Sequence, residues 1–516
     1  MALCKFKEKY FDFEKNQTEL FKCDEEAEHE LCPFHDKNYD SVKKSIMLDS
    51  KIKEAVEKSL PLFCIGYILS EITIKEAFSK PVYFTKASIA SINVEDSNFR
   101  EADFSGAIID RQSNFINTVF LLSDFIKTVF KEGVSFKNSK FLNGVNFSGS
   151  DFQGFADFAE SNLVGPIFIG TEFQKVNFSL TEIESGEFNM TKIKKNSNFI
   201  GTSILKTSFT QAKFSEMADF TGAEIKKSDF IDTQFESVNF SESSQKVIEY
   251  VRTIFKKMAN FERAKMEKIE FIQSKMEGNT NFSETNLEEI GFGKTKFMNR
   301  ANFTKAHISK KANFKFCEFK NVVFDDVRFK IKAEFNFAKF GNASFKGTIF
   351  EESDFSNVEF GENGVFFNSE FKKVAKFNSV LFEKPQHVIF DVKDLSMMSF
   401  LNTDISEIRF GKNVHWGEKD GFTLVDETRL ESFSEQDIES LLAEYRSLRE
   451  NYERRCRKED AEKILRHEVE LQKKIKVDIS PIEPHILERK VDDLTRKYHE
   501  LKKMMRLLEE KVQKND

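Results

Sequence analysis

The chain has 516 residues and a formal net charge of −7, and it contains 60 phenylalanines but only one tryptophan. A charge this small for the length disfavours both a strongly basic nucleic-acid binder and a strongly acidic surface. No apolar run is long enough to cross a membrane, no charged-then-apolar signal opens the chain, and the six cysteines show no paired spacing, so we expect a cytoplasmic protein without membrane insertion.

The N-terminal segment, residues 1–40, contains four potential metal ligands: Cys4, Cys23, Cys32 and His35. Three thiolates and one imidazole are a complete tetrahedral set for structural zinc, and the short spacing between Cys32 and His35 lets one turn supply two ligands. The alternative is four unconnected polar residues. Because a closed set leaves no position for a substrate, we predict one structural zinc ion in a zinc-knuckle-like segment, without a catalytic role.

Residues 41–80 are predicted to form a helical cap at the N-terminal end of the region that follows. Val42, Ile46, Ile52 and Val56 form a ragged helical stripe within it. We expect this cap to cover the unpaired backbone edge and the open core of a repeat array.

Residues 81–418 are organised by a five-residue period that usually falls on phenylalanine, as at Phe335, Phe340 and Phe345. Neither the 3.6-residue period of a helix nor the two-residue period of a strand explains this spacing. The chain must therefore turn a corner every five residues, and four such segments make a square coil. Coils stacked about 4.8 Å apart can pair their backbones. We expect phenylalanine to point inward and to stack on phenylalanine.

Some steps in this region have six residues, as at Phe147 and Phe158. One extra residue at a corner forms a bulge. Because the longer steps recur at regular intervals, we expect the bulges to line up on two edges of the stack.

The triplets 102–104, 301–303 and 312–314 read Ala, then Asp or Asn, then Phe, and this repeated pattern resembles the pentapeptide-repeat family. The resemblance implies a right-handed quadrilateral β-helix. The cysteines and histidine near the N-terminus, followed by the stretch 61–66, are similar to a segment of archaeal pentapeptide-repeat proteins. Some members of the family look like DNA and inhibit or protect type II topoisomerases, which gives an alternative function for this chain.

The period breaks once inside the repeats, near residues 243–258. Apolar residues there follow helical spacing, which predicts an amphipathic helix that lies on one face or protrudes to bind a partner. Phe240 and Phe261 are separated by the length of one bulged coil, so the sequence leaves open whether this helix is an excursion or replaces a coil. The apolar positions are Val247, Tyr250, Val251, Ile254, Phe255 and Met258.

Residues 419–480 are predicted to form a helical hairpin. Ser434 and Asp437 give a start signal of the capping-box type, and a second helix is expected over about 458–476. The segment 444–448 resembles a hairpin that follows the repeats in larger pentapeptide-repeat proteins. Trp416, just before this region, is expected to close the last coil.

Residues 485–514 carry an apolar heptad pattern, which predicts a coiled coil and favours a homodimer. The alternative is a helix that folds back onto the preceding hairpin as a bundle. The positions that would form the seam are Leu487, Val491, Leu494, Leu501, Leu508 and Val512.

The sequence shows no catalytic set, because its histidines are scattered and no glycine-rich phosphate loop stands in context. We therefore predict a non-enzymatic scaffold that presents a β-helical surface to a protein partner and self-associates through its C-terminal helices. Nucleic-acid binding through the zinc knuckle and a mildly basic middle is a further alternative, but clustered basic and aromatic residues are missing from the sequence pattern.

Overall fold

The structure is a computed structural model that describes residues 2–27, 30–412, 414–417 and 422–475. Its centre is a β-solenoid of about 17 turns with parallel sheets. The helix Ser41–Glu57, called α1, precedes the solenoid, and the helices Glu435–Arg454, called α2, and Lys458–Ile475, called α3, follow it. The mainly β fold predicted from the five-residue period is confirmed.

Each coil has four faces, and each face places one large side chain in the interior. In one coil these side chains are, from the first face to the fourth, Phe99, Phe104, Ile109 and Phe115. Ring centroids in successive coils are 5.2 Å apart on the first face, 4.8 Å on the second and 5.0 Å on the fourth, with the rings nearly parallel. The predicted stack is confirmed, and burial of each ring contributes about 1.5–3 kcal/mol. The next coil supplies Phe120, Phe125, Phe130 and Phe136.

Two parallel sheets run along the solenoid, and neighbouring strands come from successive coils. Like positions face each other, since Phe99 pairs with Phe120 and Asp103 with Asp124. The sheet on the first and second faces contains Leu62–Phe63, Ala77–Phe78, Val82–Tyr83, Asn98–Asp103, Val119–Asp124, Lys140–Phe141, Val145–Asn146, Asn162–Val164, Pro166–Ile167, Glu182–Glu184, Ser203–Leu205, Glu224–Ile231, Ser244–Val251, Lys265–Ile272, Asn286–Gly291, His307–Asn313, Arg328–Glu334, Ile349–Asp354, Glu370–Phe371, Ala375–Lys376 and Met398–Ser399.

The sheet on the third and fourth faces contains Ile68–Ile74, Ser88–Glu95, Ile108–Ile109, Ser113–Ile116, Val129–Phe130, Val134–Ser135, Asp151–Asp157, Glu172–Asn177, Lys192–Ile193, Ser197–Asn198, Lys213–Asp219, Gln234–Asn239, Ile254–Phe255, Ala259–Asn260, Lys275–Met276, Thr280–Asn281, Lys296–Asn302, Glu318–Val323, Lys339–Ser344, Glu359–Phe367, Leu381–Phe382, Val388–Asp391 and Arg409–Phe410. Outside the solenoid, Ala2–Leu3 pairs with Glu26–Ala27, and Lys7–Asp12 forms a hairpin with Gln17–Lys22. Two 3₁₀ helices span Pro385–His387 and Val425–Ser432.

The alanines and short polar residues of the repeat have separate roles. Ala102 and Ala301, each two residues before an interior ring, are completely buried. On the fourth face, the amide of Asn260 donates to Asn239 at 3.0 Å and that of Asn281 donates to Asn260 at 3.1 Å, so these side chains form a ladder along the stack. The Asn239 oxygen also accepts from the backbone N–H two residues later, which fixes the turn.

The extra residues of the six-residue steps lie at two opposite corners. The register shifts after Phe152 and Phe297 between the third and fourth faces, and around Leu287 and Phe329 between the first and second faces. The predicted alignment of bulges on two edges is confirmed. Each bulge absorbs the added residue, so the following ring still points inward.

The prediction of a helix near residues 243–258 is wrong. These residues form the strands Ser244–Val251 and Ile254–Phe255, which belong to an ordinary coil of the solenoid. Gln245 occupies an interior position on the first face and is 1% exposed, which is why the phenylalanine period breaks there. Its Nε2 donates to Ser243 Oγ at 3.1 Å, and its Oε1 accepts from the Tyr250 hydroxyl at 3.0 Å. With its polar atoms satisfied inside the coil, the chain continues the solenoid and forms no helical protrusion.

The N-terminal cap is helical only as far as Glu57, where α1 ends. The solenoid begins at Leu62, which pairs with Val82, and not at the predicted boundary at residue 81. Ile52 of the predicted apolar stripe is buried, whereas Val42 and Ile46 face solvent. α1 instead buries Lys44, Leu48, Ile52 and Ala55.

The C-terminal helix α2 covers the open end of the last coil. Glu444 Oε1 accepts from the backbone N–H of Phe400 at 2.9 Å, and Ser447 Oγ accepts from that of Ile405 at 2.8 Å. Asn451 Nδ2 donates to the carbonyl oxygens of Ile405 and Ile408, each at 2.7 Å. One side of α2 therefore supplies the partners that a further coil would have supplied.

Both predicted helices of the hairpin are present in α2 and α3. Ser434 and Asp437 form the expected capping box, and α3 begins at Lys458. The indole N–H of Trp416 donates to the Tyr452 hydroxyl at 2.8 Å, so this tryptophan joins the last coil to α2. None of the helices in the described ranges is long and apolar enough to cross a bilayer. The coiled coil predicted at 485–514, with its seam residues, lies outside the described residues.

Candidate metal centre

The four predicted ligands come from three separate places in the N-terminal unit. Cys4 follows the strand Ala2–Leu3, Cys23 follows the hairpin strand Gln17–Lys22, and Cys32 and His35 lie in one turn. In that turn the backbone N–H of His35 donates to the carbonyl oxygen of Cys32 at 3.0 Å. All four side chains are buried, and their ligand atoms lie within 4.8 Å of one another.

The distances between the ligand atoms fit a tetrahedral metal site. Zn–S bonds of about 2.3 Å and Zn–N bonds of about 2.0–2.1 Å place sulfur atoms about 3.8 Å apart, and sulfur about 3.5 Å from nitrogen. The sulfur atoms of Cys23 and Cys32 are 3.7 Å apart, and Cys4 Sγ lies 3.5 Å from His35 Nδ1. Cys32 Sγ is closer to the same nitrogen, at 3.1 Å. The cluster is therefore able to hold a metal ion.

The surroundings of His35 fix the ring for metal binding through Nδ1. Its Nε2 lies 3.0 Å from the carbonyl oxygen of Ile65, which can only accept, so Nε2 carries a proton and Nδ1 is the nitrogen available to a metal. The ring of Phe6 stacks on the imidazole with centroids 3.9 Å apart, and Tyr67 meets it edge-on. Because Ile65 belongs to the first coil, the site also joins the N-terminal hairpin to the solenoid.

Cys32 is the thiol of the cluster whose surroundings favour negative charge. A hydrogen bond from Cys23 lowers the pKa of Cys32 to about 3, against the effect of burial, and His35 contributes in the same direction. The pKa of Cys23 is raised by that same hydrogen bond and by burial. A cation bound by both sulfur atoms would replace the proton of this hydrogen bond. Cys64 lies outside the cluster, and burial raises its pKa.

All four side chains that the structure brings together were predicted from the sequence, but the two groups that orient them were not. The Ile65 carbonyl is a backbone group and has no signature in the sequence. Phe6 was missed because it lies outside the repeats. Gly66 is the sequence signal that could have indicated a close contact here. An added Cβ at this position would lie 2.1 Å from the Phe6 ring, and its φ of +67° also favours glycine.

Comparisons with known proteins agree with the coil geometry. Two family models described as pentapeptide repeats match residues 115–162 and 332–362. None of the curated proteins matches the chain.

One similar solved structure is that of HetL, described as a pentapeptide-repeat protein involved in heterocyst differentiation regulation from the cyanobacterium Nostoc. Its sequence is 15% identical to this chain, and the alignment covers 53% of this chain and 95% of HetL with a TM-score of 0.17. QnrB1, described as a plasmid-mediated fluoroquinolone resistance protein, is 15% identical, with 34% and 84% covered and a TM-score of 0.13. Neither likeness bears on function. The family matches identify residues 115–162 and 332–362 as pentapeptide repeats, and the same four-sided coil is repeated through the rest of the solenoid.

Proposed function

We propose that this protein is a non-enzymatic scaffold whose solenoid presents its sides to a protein partner. The observation that carries the proposal is the covering of both ends of the stack, by the N-terminal hairpin with α1 and by α2. Uncovered ends would expose strand edges that recruit other chains. With the ends covered, the sides are the available surface, and a repeat array suits a long binding surface.

The metal ion of the N-terminal cluster is, in this proposal, a structural Zn²⁺ held by Cys4, Cys23, Cys32 and His35. Its role is to fasten the hairpin to the first coil, since a segment this short buries little core of its own. All four coordination positions are taken by protein, so the site offers no place for a substrate. Thiolate ligands need a reducing compartment, which supports a cytoplasmic location.

Self-association through the C-terminal helices is the second part of the proposal. α3 leaves Leu465 and Val469 40% and 39% exposed, so it has an apolar side without a partner in the described part of the chain. The heptads that follow would extend such a side. A dimer is the expected state, because leucine dominates one of the two seam positions.

The test of the scaffold function is purification of the tagged full chain from its native cells, with cross-linking and mass spectrometry. We expect a partner protein cross-linked to lysines on the sides of several successive coils. The control is the same chain added after lysis in denatured form, which should lose those cross-links. Cross-links confined to the hairpin or to α2, or equal capture by the denatured chain, would contradict the proposal.

A further inference from the structure

Two phenylalanines stack on the outside of the solenoid. Phe316 and Phe337 are each 49% exposed, and their rings lie 5.1 Å apart with an angle of 4° between them. The two residues occupy equivalent turns of successive coils, at the corner between the second and third faces. Most other phenylalanines of the repeats serve the interior, as Phe314 and Phe335 do in the same two turns, although Phe155 and Phe367 are also exposed. This outer pair is therefore not required by the stack.

The backbone at this corner also disfavours a bulky side chain. The φ angles of Phe316 and Phe337 are +59° and +61°, in the left-handed region where phenylalanine is a rare residue. In most other coils the same turn holds glycine or a polar residue, as at Gly106, Gly149 and Asn357, although Met190 also occupies it. Two bulky side chains in neighbouring strained turns indicate a role outside the fold.

The charges around the pair have an excess of lysine. Glu334 is paired with Lys315 at 2.9 Å, and Glu318 with Lys296 at 2.9 Å. Lys294 occupies the equivalent turn one coil before Phe316, and Lys320 lies on the third face just after it. Both lysines are exposed, and neither forms an ion pair with a described residue. The corner thus combines an apolar stack with two free positive charges.

We propose that this corner, defined by Lys294, Phe316, Lys320 and Phe337, binds an acidic protein segment that carries an aromatic or aliphatic side chain. This assignment rests on the proposed scaffold function and names the class of partner. The stacked rings accept the apolar side chain, which is the kind of anchor that dominates protein interfaces. The unpaired lysines attract carboxylates next to that anchor and disfavour a basic segment.

The spacing of the corner also predicts the spacing in the partner. Coils are separated by about 4.8 Å, and an extended chain rises about 3.3 Å per residue. From Lys294 to Phe337 the corner passes two coil spacings, which corresponds to about three residues of extended chain. A carboxylate two or three residues before the apolar anchor therefore fits the corner.

The test uses a fluorescein-labelled dodecapeptide of aspartate and glutamate with one central phenylalanine, titrated against the full chain by fluorescence anisotropy. We expect saturable binding that weakens with added salt, and binding at least about tenfold weaker for the Phe316→Asn, Phe337→Asn double variant. Lys294→Glu with Lys320→Glu should weaken binding to a similar extent. A peptide with lysine in place of every acidic residue should not bind.

Met190→Asn is the matched control. Met190 occupies the equivalent turn of a distant coil, has a φ of +57° and is 50% exposed. Its replacement should leave peptide affinity within about twofold, since isolated exposed apolar residues contribute little to binding. Asparagine suits a positive φ, so the melting temperature of the Phe316→Asn, Phe337→Asn variant should stay the same or rise.

The assignment is overturned if the acidic peptide does not bind the full chain, or if the double variant binds the peptide as tightly as the original chain does. Unchanged affinity together with a clearly lower melting temperature would make the pair a purely structural stack. Dissociation of an oligomer by the double variant, seen by light scattering, would instead make a second copy of this chain the occupant and refute the acidic segment. Cross-linking of a native partner tests the scaffold function separately. If cross-links form along the coils but the acidic peptide does not bind, the partner binds another surface of the solenoid. If no cross-links form, the scaffold function itself is wrong.

Discussion

Replacing Phe366 by alanine should open the solenoid locally. The ring is completely buried on the fourth face, 4.7 Å from the ring of Phe345 and 4.5 Å from that of Phe390. It also meets Phe355 and Phe377 edge-on. Loss of a buried phenylalanine side chain costs about 3–5 kcal/mol. Because each coil contacts only its neighbours, this cost should fall on the coils that hold these rings.

Hydrogen exchange measured by mass spectrometry is the suitable assay, since a long repeat array need not unfold in one step. A loss of about 3 kcal/mol should speed exchange of amides near residues 345–390 by about two orders of magnitude. Amides of residues 115–162 should not change. The control is Phe367→Ala at the next residue. The Phe367 side chain is 44% exposed, so its loss should lower the free energy of unfolding by less than about 1 kcal/mol. Equal acceleration by both variants would refute the facing of the rings.

Cys32→Ser should remove about one equivalent of bound zinc and expose the N-terminal hairpin to protease, whereas Cys64→Ser should change neither; zinc analysis and limited proteolysis check this. Glu444→Gln should raise the melting temperature at neutral pH, because burial and the nearby Asp426 raise the pKa of Glu444 well above its usual value. Protonated Glu444 stabilises the fold at low pH, and this stabilisation is lost as the pH rises from the pKa of the unfolded chain toward the higher pKa of the folded chain. The melting temperature should therefore fall less steeply between about pH 5 and about pH 8 for the variant than for the original chain. Light scattering should report a dimer for the full chain and a folded monomer for residues 1–480; two monomers would assign the heptads to an intramolecular bundle.

The solenoid could be predicted from the sequence because its rule is local. A five-residue step fixes the corner, and stacking repeats the same side chain at the same place in every coil, as from Phe99 to Phe120. The signal is thus multiplied along the chain. Six-residue steps such as the one ending at Phe158 did not hide it, because the bulges absorb the added residue.

The first coil and the coil of Gln245 could not be predicted in the same way, since neither uses phenylalanine throughout. Leu69 and Ile74 serve as interior residues of the first coil, so the phenylalanine period starts later in the chain than the solenoid does. Near Gln245 the apolar residues also fit the spacing of an amphipathic helix, and the sequence prediction followed that spacing. The hydrogen bonds of Gln245 to Ser243 and Tyr250 exist only once the coil has closed.

The metal cluster was predictable in composition but not in placement. Four thiophilic side chains in a short segment indicate a shared ion, whichever loops carry them. The hairpin that positions Cys23, and the Ile65 carbonyl that orients His35, depend on contacts with the first coil that no spacing reveals. The facing of α1 was missed for a similar reason, since the buried side of the helix is chosen by the coil beneath it.

Departures from the repeat rule fall into two physical classes in this chain. At Gln245 the departure is compensated inside the same coil, and at the last coil the missing neighbour is replaced by Glu444, Ser447 and Asn451 of α2. Compensated departures keep the fold intact and need no partner. The pair of Phe316 and Phe337 is different, because stacking offsets only part of the exposure of two rings held in a disfavoured backbone conformation. A departure that the chain does not compensate is the place where a partner can lower the free energy most, so we expect the partner at that corner rather than at the ends.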